Sequence, residues 1–381
     1  MRGRPMSVQG SHSALEPGRI GDLRTANRLV VAPMTRVSAE PDGTATPEMA
    51  AYYTEFARGG FGLVVTEGIY TDSAYSQGYL NQPGLVSARN AAAWRDVTGR
   101  VHEAGGLIVA QLMHAGALSQ GNPHRDGTAG PSAVKPQGAK MPEYGGSGPW
   151  PVPREMDSAD IEEAVAGFVA SAVNARDAGF DGVEVHAANG YLLDQFLTDY
   201  TNLREDSYGG PVANRVRLTA EVVEAIRAEV GPDWCVGVRL SQTKVNDFHH
   251  RWPGGVHDGE VIFAALADAG ATYLHIASEG RNWIETAELE GGLTITGQAR
   301  RVTGLPVIAN GGMHDAELSA QVLGDGHADF VSVARAALVN PDLPRRLAEG
   351  GRLERFDRTL LEPMVTLDNA RRRRRVLEAK V

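Results

Sequence analysis

Eight short apolar runs, rich in Val, Ile and Leu and separated by longer segments with helical spacing, constrain this chain more than any other feature. They are residues 28–33 (RLVVAP), 61–68 (FGLVVTEG), 106–112 (GLIVAQL), 181–186 (DGVEVH), 234–241 (WCVGVRLS), 273–278 (YLHIAS), 306–312 (PVIANGG) and 329–335 (DFVSVAR). Runs without polar alternation predict strands buried on both faces, as in a parallel sheet. Between them, stretches such as 158–178 repeat Ile161, Val165, Phe168, Val169 and Ala172 at three- and four-residue spacing, which predicts helices with one apolar stripe. Asp157 or Ser158 can cap that helix, and Asp315 the one after the seventh run. Eight strand–helix units predict an α/β protein built as a single (β/α)8 TIM barrel with extended loops over its C-terminal face. An open doubly wound sheet would bring a glycine fingerprint after its first strand, but here Ala32–Pro33–Met34–Thr35–Arg36 follows. The expected division is an N-terminal extension over 1–26, the barrel over 27–349 and a helical tail over 350–381. Two irregular insertions, 113–156 and 242–256, are candidate lids.

Composition excludes several roles. With 42% hydrophobic and 22% charged residues the chain can bury a large core, which excludes disorder. Its net charge of −10 repels nucleic-acid backbones and anionic lipid, so neither partner is expected. The five arginines 371–375 are read as a solvated surface run. The one cysteine, Cys235, cannot form an internal disulfide or supply a thiolate metal site, and no metal is expected. No apolar run reaches the length of a membrane span and the start has no apolar signal core, so a cytoplasmic protein is expected. A homo-oligomer stays open, because no heptad run speaks to it.

In such barrels the reacting groups come from the C-terminal strand ends. Asn310–Gly311–Gly312 after the seventh run and Ala334–Arg335 after the eighth suit a phosphate, which backbone N–H groups and a guanidinium can hold. The alternative is a plain turn with Arg335 paired at the surface. Thr35, Gln111 and Arg239 at other strand ends suit a flat heteroaromatic ring with alternating donors and acceptors. For Arg239 an ion pair with Glu184 or Glu67 is the alternative. After the fourth run, His186 and Asn189 can donate to one oxygen and Tyr191 can supply a proton. Asn189 as a helix cap is the plain structural reading.

Residues 27–36 (NRLVVAPMTR), 65–68 (VTEG), 111–116 (QLMHAG), 184–196 (EVHAANGYLLDQF), 202–215 (NLREDSYGGPVANR) and 340–343 (NPDL) occur in an order similar to that of the old yellow enzymes, FMN-dependent ene-reductases also described as NADH:flavin oxidoreductases. The resemblance implies FMN as cofactor and NADPH or NADH as reductant. It implies that Pro33, Met34, Thr35, Gly68, Gln111 and Arg239 line the flavin ring and that Gly311, Gly312, Ala334 and Arg335 hold its phosphate. It further implies that His186 and Asn189 bind the oxygen of a small enone, enal or nitro substrate, that hydride passes from the flavin to the β-carbon, and that Tyr191 protonates the α-carbon.

Four positions depart from common family patterns. Ala334 stands where many relatives have Gly, Met113 replaces an aromatic, Leu361 falls where some have tyrosine, and Thr35 replaces the cysteine of one branch. Beside a non-catalytic flavin-binding protein, which would keep the phosphate site without needing Tyr191, two other enzyme readings compete with the ene-reductase. One is a flavin-dependent desaturase or oxidase of a biosynthetic intermediate. The other is a flavin-free phosphate-binding lyase or isomerase, for which Lys244 is the one amine near enough to a strand end.

Overall fold

The computed structural model describes residues 12–278 and 283–378. Each of the eight apolar runs holds a parallel strand: β1 Leu29–Val31, β2 Leu63–Val65, β3 Ile108–Met113, β4 Gly182–Asn189, β5 Cys235–Lys244, β6 Tyr273–Ile276, β7 Val307–Asn310 and β8 Phe330–Val333. Neighbours pair in sequence order, and β8 returns to β1 through Ser332 opposite Val30, so the sheet closes. Strand β5 continues past the predicted run to Lys244, with a register irregularity against β4 between Leu240 and Lys244. That extension carries Lys244, just beyond Ser241, up beside the turn that follows β4.

Helices cover the outside: α1 Pro47–Gly59, α2 Ala88–Glu103, α3 Ser158–Asp177, α4 Arg217–Val230, α5 Gly255–Asp268, α6 Ile295–Thr303 and α7 Ala316–Gly324. Asp157 caps α3 in a reciprocal box with Asp160, and the Asp315 carboxylate accepts from the first amides of α7. Outward strand residues such as Val64, Val183, Val185, Val238 and Val331 pack with the helices' inner faces in one continuous apolar cluster. Each such side chain is worth about 1.5–3 kcal/mol of burial.

The barrel interior changes character along its axis. At the N-terminal end, Val30, Leu63, Val65, Val109, Cys235, Tyr273, Ile308 and Phe330 form a separate apolar plug. Ile20 and Leu23 of an antiparallel hairpin, Gly18–Ile20 with Leu23–Thr25, complete it from below. Contact there is close: a Cβ at Gly18 would lie 2.5 Å from the Phe330 ring. This hairpin lies in the segment expected as an N-terminal extension, of which residues 1–11 fall outside the described residues.

The same rim solves a backbone problem. The first N–H of a strand has no ladder partner, and side chains supply one repeatedly: Asn27 Oδ1 accepts from Leu29 and Gly62, Asp181 Oδ2 from Ile108, Thr272 Oγ1 from Val236 and Asp329 Oδ2 from Val307. One end of the barrel is thereby built for stability. The other end is left for chemistry.

Over the C-terminal face, 113–156 folds back as a lid with a short ladder of Ala129–Gly130 against Arg154–Glu155. The second insertion buries Trp252, and His250 hydrogen-bonds the Gln242 carbonyl and contacts Asp199. Within the expected tail, helix Leu367–Glu378 docks on the barrel: Leu367 N donates to Ser38 Oγ at 2.9 Å, and Arg374 donates to the Leu338 carbonyl. The arginine run is therefore only partly solvated, since Arg373 also donates to Thr359 and Arg371 and Arg372 pair with Asp368. Residues 379–381 fall outside the described residues. Among the described residues no helix is long and apolar enough to cross a membrane.

Candidate active site

Strand β4 carries the densest chemistry. His186 is buried, and its Nδ1 accepts from the Ala188 amide at 3.3 Å, which leaves the ring proton on Nε2. Burial first, and the nearby Arg239 charge second, hold the His186 pKa down to about 3, so the ring is a neutral donor. Asn189 ends the strand in the left-handed region at φ 64°. Its backbone is clamped from both sides: its N–H donates to Ser241 Oγ at 2.8 Å and its carbonyl accepts from Val245 at 3.1 Å. It caps no helix, because the following helix Leu192–Leu197 has Tyr191 at its cap position with no side-chain bond. The buried Asn189 Oδ1 accepts no hydrogen bond among the described residues, an omission that costs about 1–3 kcal/mol unless a ligand supplies a donor.

Tyr191 sits on the same turn, its ring 5.0 Å from that of His186 in an edge-to-face arrangement. Its hydroxyl meets the hydroxyl of Tyr79, which lies within the segment joining β2 to α2. The turn itself is fixed by Asp194, whose Oδ2 accepts from Gly190 N at 2.7 Å while Oδ1 pairs with Lys244 Nζ at 2.6 Å. Lys244 is 1% exposed and wholly engaged in that pair, which removes it as a free amine for lyase chemistry.

The remaining strand-end residues gather on the same rim. Pro33, Met34 and Thr35 follow β1 half-buried, and the backbone just beyond them is held by Glu67 Oε2, which accepts from Arg36 N at 2.8 Å and Val37 N at 3.2 Å. Glu67 thus serves the segment after β1. Gly68 follows β2, its carbonyl accepting from Gln82 at 2.7 Å. Gln111, on β3, donates through Nε2 to Glu184 at 2.8 Å, which leaves its carbonyl oxygen and second N–H for a ligand. Arg239, on β5, lies in register between His186 on β4 and His275 on β6.

After β7, Gly311 and Gly312 have φ of 119° and 76°, and a Cβ at Gly311 would lie 2.7 Å from Ser278 Cβ. Only glycine fits that turn, and such a turn exposes backbone N–H groups as a phosphate cradle does. Ala334 is half-buried at the cap of helix Arg335–Val339, and Arg335 is exposed at the mouth. Among the described residues no cluster of three or more His, Cys, Asp and Glu has metal-ligand geometry. The donor set fits FMN: a neutral amide and a guanidinium suit its ring, and glycine backbone with an arginine suits its phosphate.

Several residues of the site carry no motif signal. A third apolar cluster roofs it, made from Val37, Tyr79, Met113, Ala115, Leu118, Trp150, Tyr191 and Val365, with Tyr144 and Leu361 packed against it. Met113 and Leu361, two of the four departures noted in sequence, thus belong to one apolar roof. Tyr79, Trp150 and Val365 come from three separate segments; Trp150 lies in the first lid, and no sequence signal pointed toward Tyr79 or Val365.

The model of the NADH:flavin oxidoreductase / NADH oxidase family matches residues 14–354. The chain belongs to that family. It is 36% identical over 351 residues to the putative 12-oxophytodienoate reductase 4 of Oryza sativa subsp. japonica, covering 91% of this chain and 88% of that protein. It is 32% identical to the NADH oxidase of Thermoanaerobacter brockii across 87% of this chain, and spans about half, 50%, of that longer protein. Among solved structures it is similar to the old yellow enzyme homologue of Zymomonas mobilis, with a TM-score of 0.80 and 33% identity over 90% of this chain and 94% of that one. It is also similar to morphinone reductase in complex with tetrahydroNAD, with a TM-score of 0.80 and 32% identity over 91% and 93% of the two chains. As a member of this family the chain is an NAD(P)H-dependent FMN oxidoreductase. A flavin-free lyase or isomerase is set aside with it.

Proposed function

We propose that the protein reduces the activated C=C bond of small α,β-unsaturated carbonyl or nitro compounds. The observation that carries this reading is the single turn of β4 on which a neutral His186 donor, Asn189 and the Tyr191 hydroxyl stand together. Similarity to 12-oxophytodienoate and morphinone reductases supports it. FMN bound here would supply the hydride chemistry that links NAD(P)H to the β-carbon of the alkene. Pro33, Met34, Thr35, Gly68, Gln111 and Arg239 would hold its ring, and Gly311, Gly312, Ala334 and Arg335 its phosphate.

The protein's own groups do the rest. His186 Nε2–H and the Asn189 amide donate to the substrate oxygen, and so stabilise the negative charge that gathers there. Because His186 is neutral, it holds that oxygen without giving up a proton. Tyr191 gives the α-carbon its proton from the hydroxyl, and the Met113, Trp150 and Val365 roof keeps bulk water away.

The test is Tyr191→Phe followed by anaerobic rapid mixing with flavin absorbance as the signal. Reoxidation by a cyclic enone is expected to slow by about 10²-fold or more, the usual contribution of a positioned acid, with flavin reduction by NADPH little changed. Equal loss in both halves overturns the assignment. Failure of the wild-type enzyme to consume NADPH with any enone would favour the desaturase direction instead.

A further inference from the structure

Beneath the residues assigned to the flavin lies a buried polar layer that the mechanism above does not use. Glu184 on β4 is fully buried. Its Oε1 accepts from Gln111 Nε2 at 2.8 Å, and its Oε2 accepts from the Tyr273 hydroxyl at 2.9 Å and lies 2.9 Å from His275 Nδ1. The other His275 nitrogen is 2.9 Å from Ser332 Oγ, and Ser332 Oγ accepts from Asn310 Nδ2 at 3.0 Å. Strands β3, β4, β6, β7 and β8 are thus joined through one carboxylate and its neighbours, and the Arg239 charge on β5 acts on that carboxylate as well.

A buried carboxylate with no counter-charge is costly, and here three donors and two neighbouring cationic or imidazole groups oppose that cost. Burial pushes Glu184 up, but His275, Arg239 and the Gln111 bond outweigh it and hold its pKa down to about 2. Glu184 therefore stays charged. The arrangement has two consequences for a ring seated on Gln111 and Arg239. The Gln111 amide cannot flip, because its N–H is committed to Glu184. The Arg239 charge is partly balanced from below.

We infer that Glu184 is a positioning residue that fixes the Gln111 amide and tempers Arg239, and so sets the potential of the bound flavin lower than Arg239 alone would. This rests on the placement of FMN argued above. A negative charge near the ring disfavours the added electrons, so its removal shifts the two-electron equilibrium toward the reduced form.

Glu184→Gln keeps the shape and removes the charge. In the holoenzyme, measured against a reference dye, the midpoint potential is expected to rise by at least a tenfold shift in the reduction equilibrium, which is ~30 mV for two electrons. Tyr273→Phe removes a buried hydrogen bond to the same carboxylate but keeps its charge, and is expected to leave the potential within threefold of that equilibrium. An unchanged potential in E184Q, or equal shifts in both variants, overturns the inference. Should E184Q not fold, Glu184→Asp decides: it keeps the charge but withdraws it from Gln111, and is expected to release FMN about tenfold more readily on dilution, read by free-flavin fluorescence. Wild-type retention of FMN in E184D overturns the inference. Gln111→Ala and Arg239→Ala separate this from the placement itself. If neither alters FMN retention or potential, the placement fails; if they do and the Glu184 variants do not, only the role of Glu184 fails.

Discussion

Tyr79 and Tyr191 meet hydroxyl to hydroxyl inside the apolar roof, and that contact bears on the proton that Tyr191 gives away. Once Tyr191 has lost its proton, the oxygen left behind is buried and needs a donor, and Tyr79 provides one. Tyr79→Phe is expected to slow alkene reduction by about tenfold, the worth of one hydrogen bond to a charged group, while flavin reduction by NADPH is unaffected. Stopped-flow traces of the two half-reactions decide it. His186 makes a second residue-scale prediction. With its pKa held down to about 3 it does not titrate in any ordinary buffer, so a saturated cyclic ketone is expected to bind with the same Kd at pH 5 and pH 8. A Kd that changed severalfold between those values would mean that the imidazole gains a proton there. An isothermal titration at each pH supplies the comparison.

At the scale of elements, the segment after β1 depends on a carboxylate from the end of β2. Burial pushes Glu67 up to about 7, against the pull of the Arg36 amide and charge. Its folded pKa thus lies above the unfolded value, so the folded state favours the protonated acid. That contribution is whole below the ordinary carboxylate range near 4.5 and is lost as pH rises through 7. Wild-type stability is expected to fall between pH 5 and pH 8 more steeply than that of Glu67→Gln, which cannot ionise. Denaturant midpoints across that range supply the test. The strands themselves were legible in sequence because each is a run of apolar residues without alternation, and the rim residues followed because a barrel strand presents its last side chains to one face. The extension of β5 to Lys244 was not, since Gln242, Thr243 and Lys244 are polar and nothing in their order marks a strand. Nor was the partner of Arg239 decided. Glu184 within β4 and Glu67 after β2 are both buried carboxylates, and only the closed sheet shows that the Arg239 charge acts on Glu184 while Glu67 holds the Arg36 amide. Contacts such as Glu184 with His275 join residues far apart in the chain, and residue spacing carries no information about them.

On the scale of the whole molecule, the two ends of the chain serve opposite faces of the barrel. Leu361 and Val365, beyond β8, reach back over the candidate site to pack near Tyr191. Replacing both by Ala removes apolar surface from the roof and is expected to raise KM for the alkene by about tenfold, the worth of roughly one buried aliphatic side chain. Flavin content and reduction by NADPH are expected to persist, and steady-state kinetics with matched flavin spectra check both. The other end, the hairpin with Ile20 and Leu23, presses on Phe330 of the last strand, and β1 borders that same strand. During translation this leaves an early portion of the polypeptide waiting for a late one. Until the ribosome has released β8, Val30 lacks a neighbour on one side and the hairpin lacks its seat, so the emerging chain carries an open sheet edge through most of its synthesis.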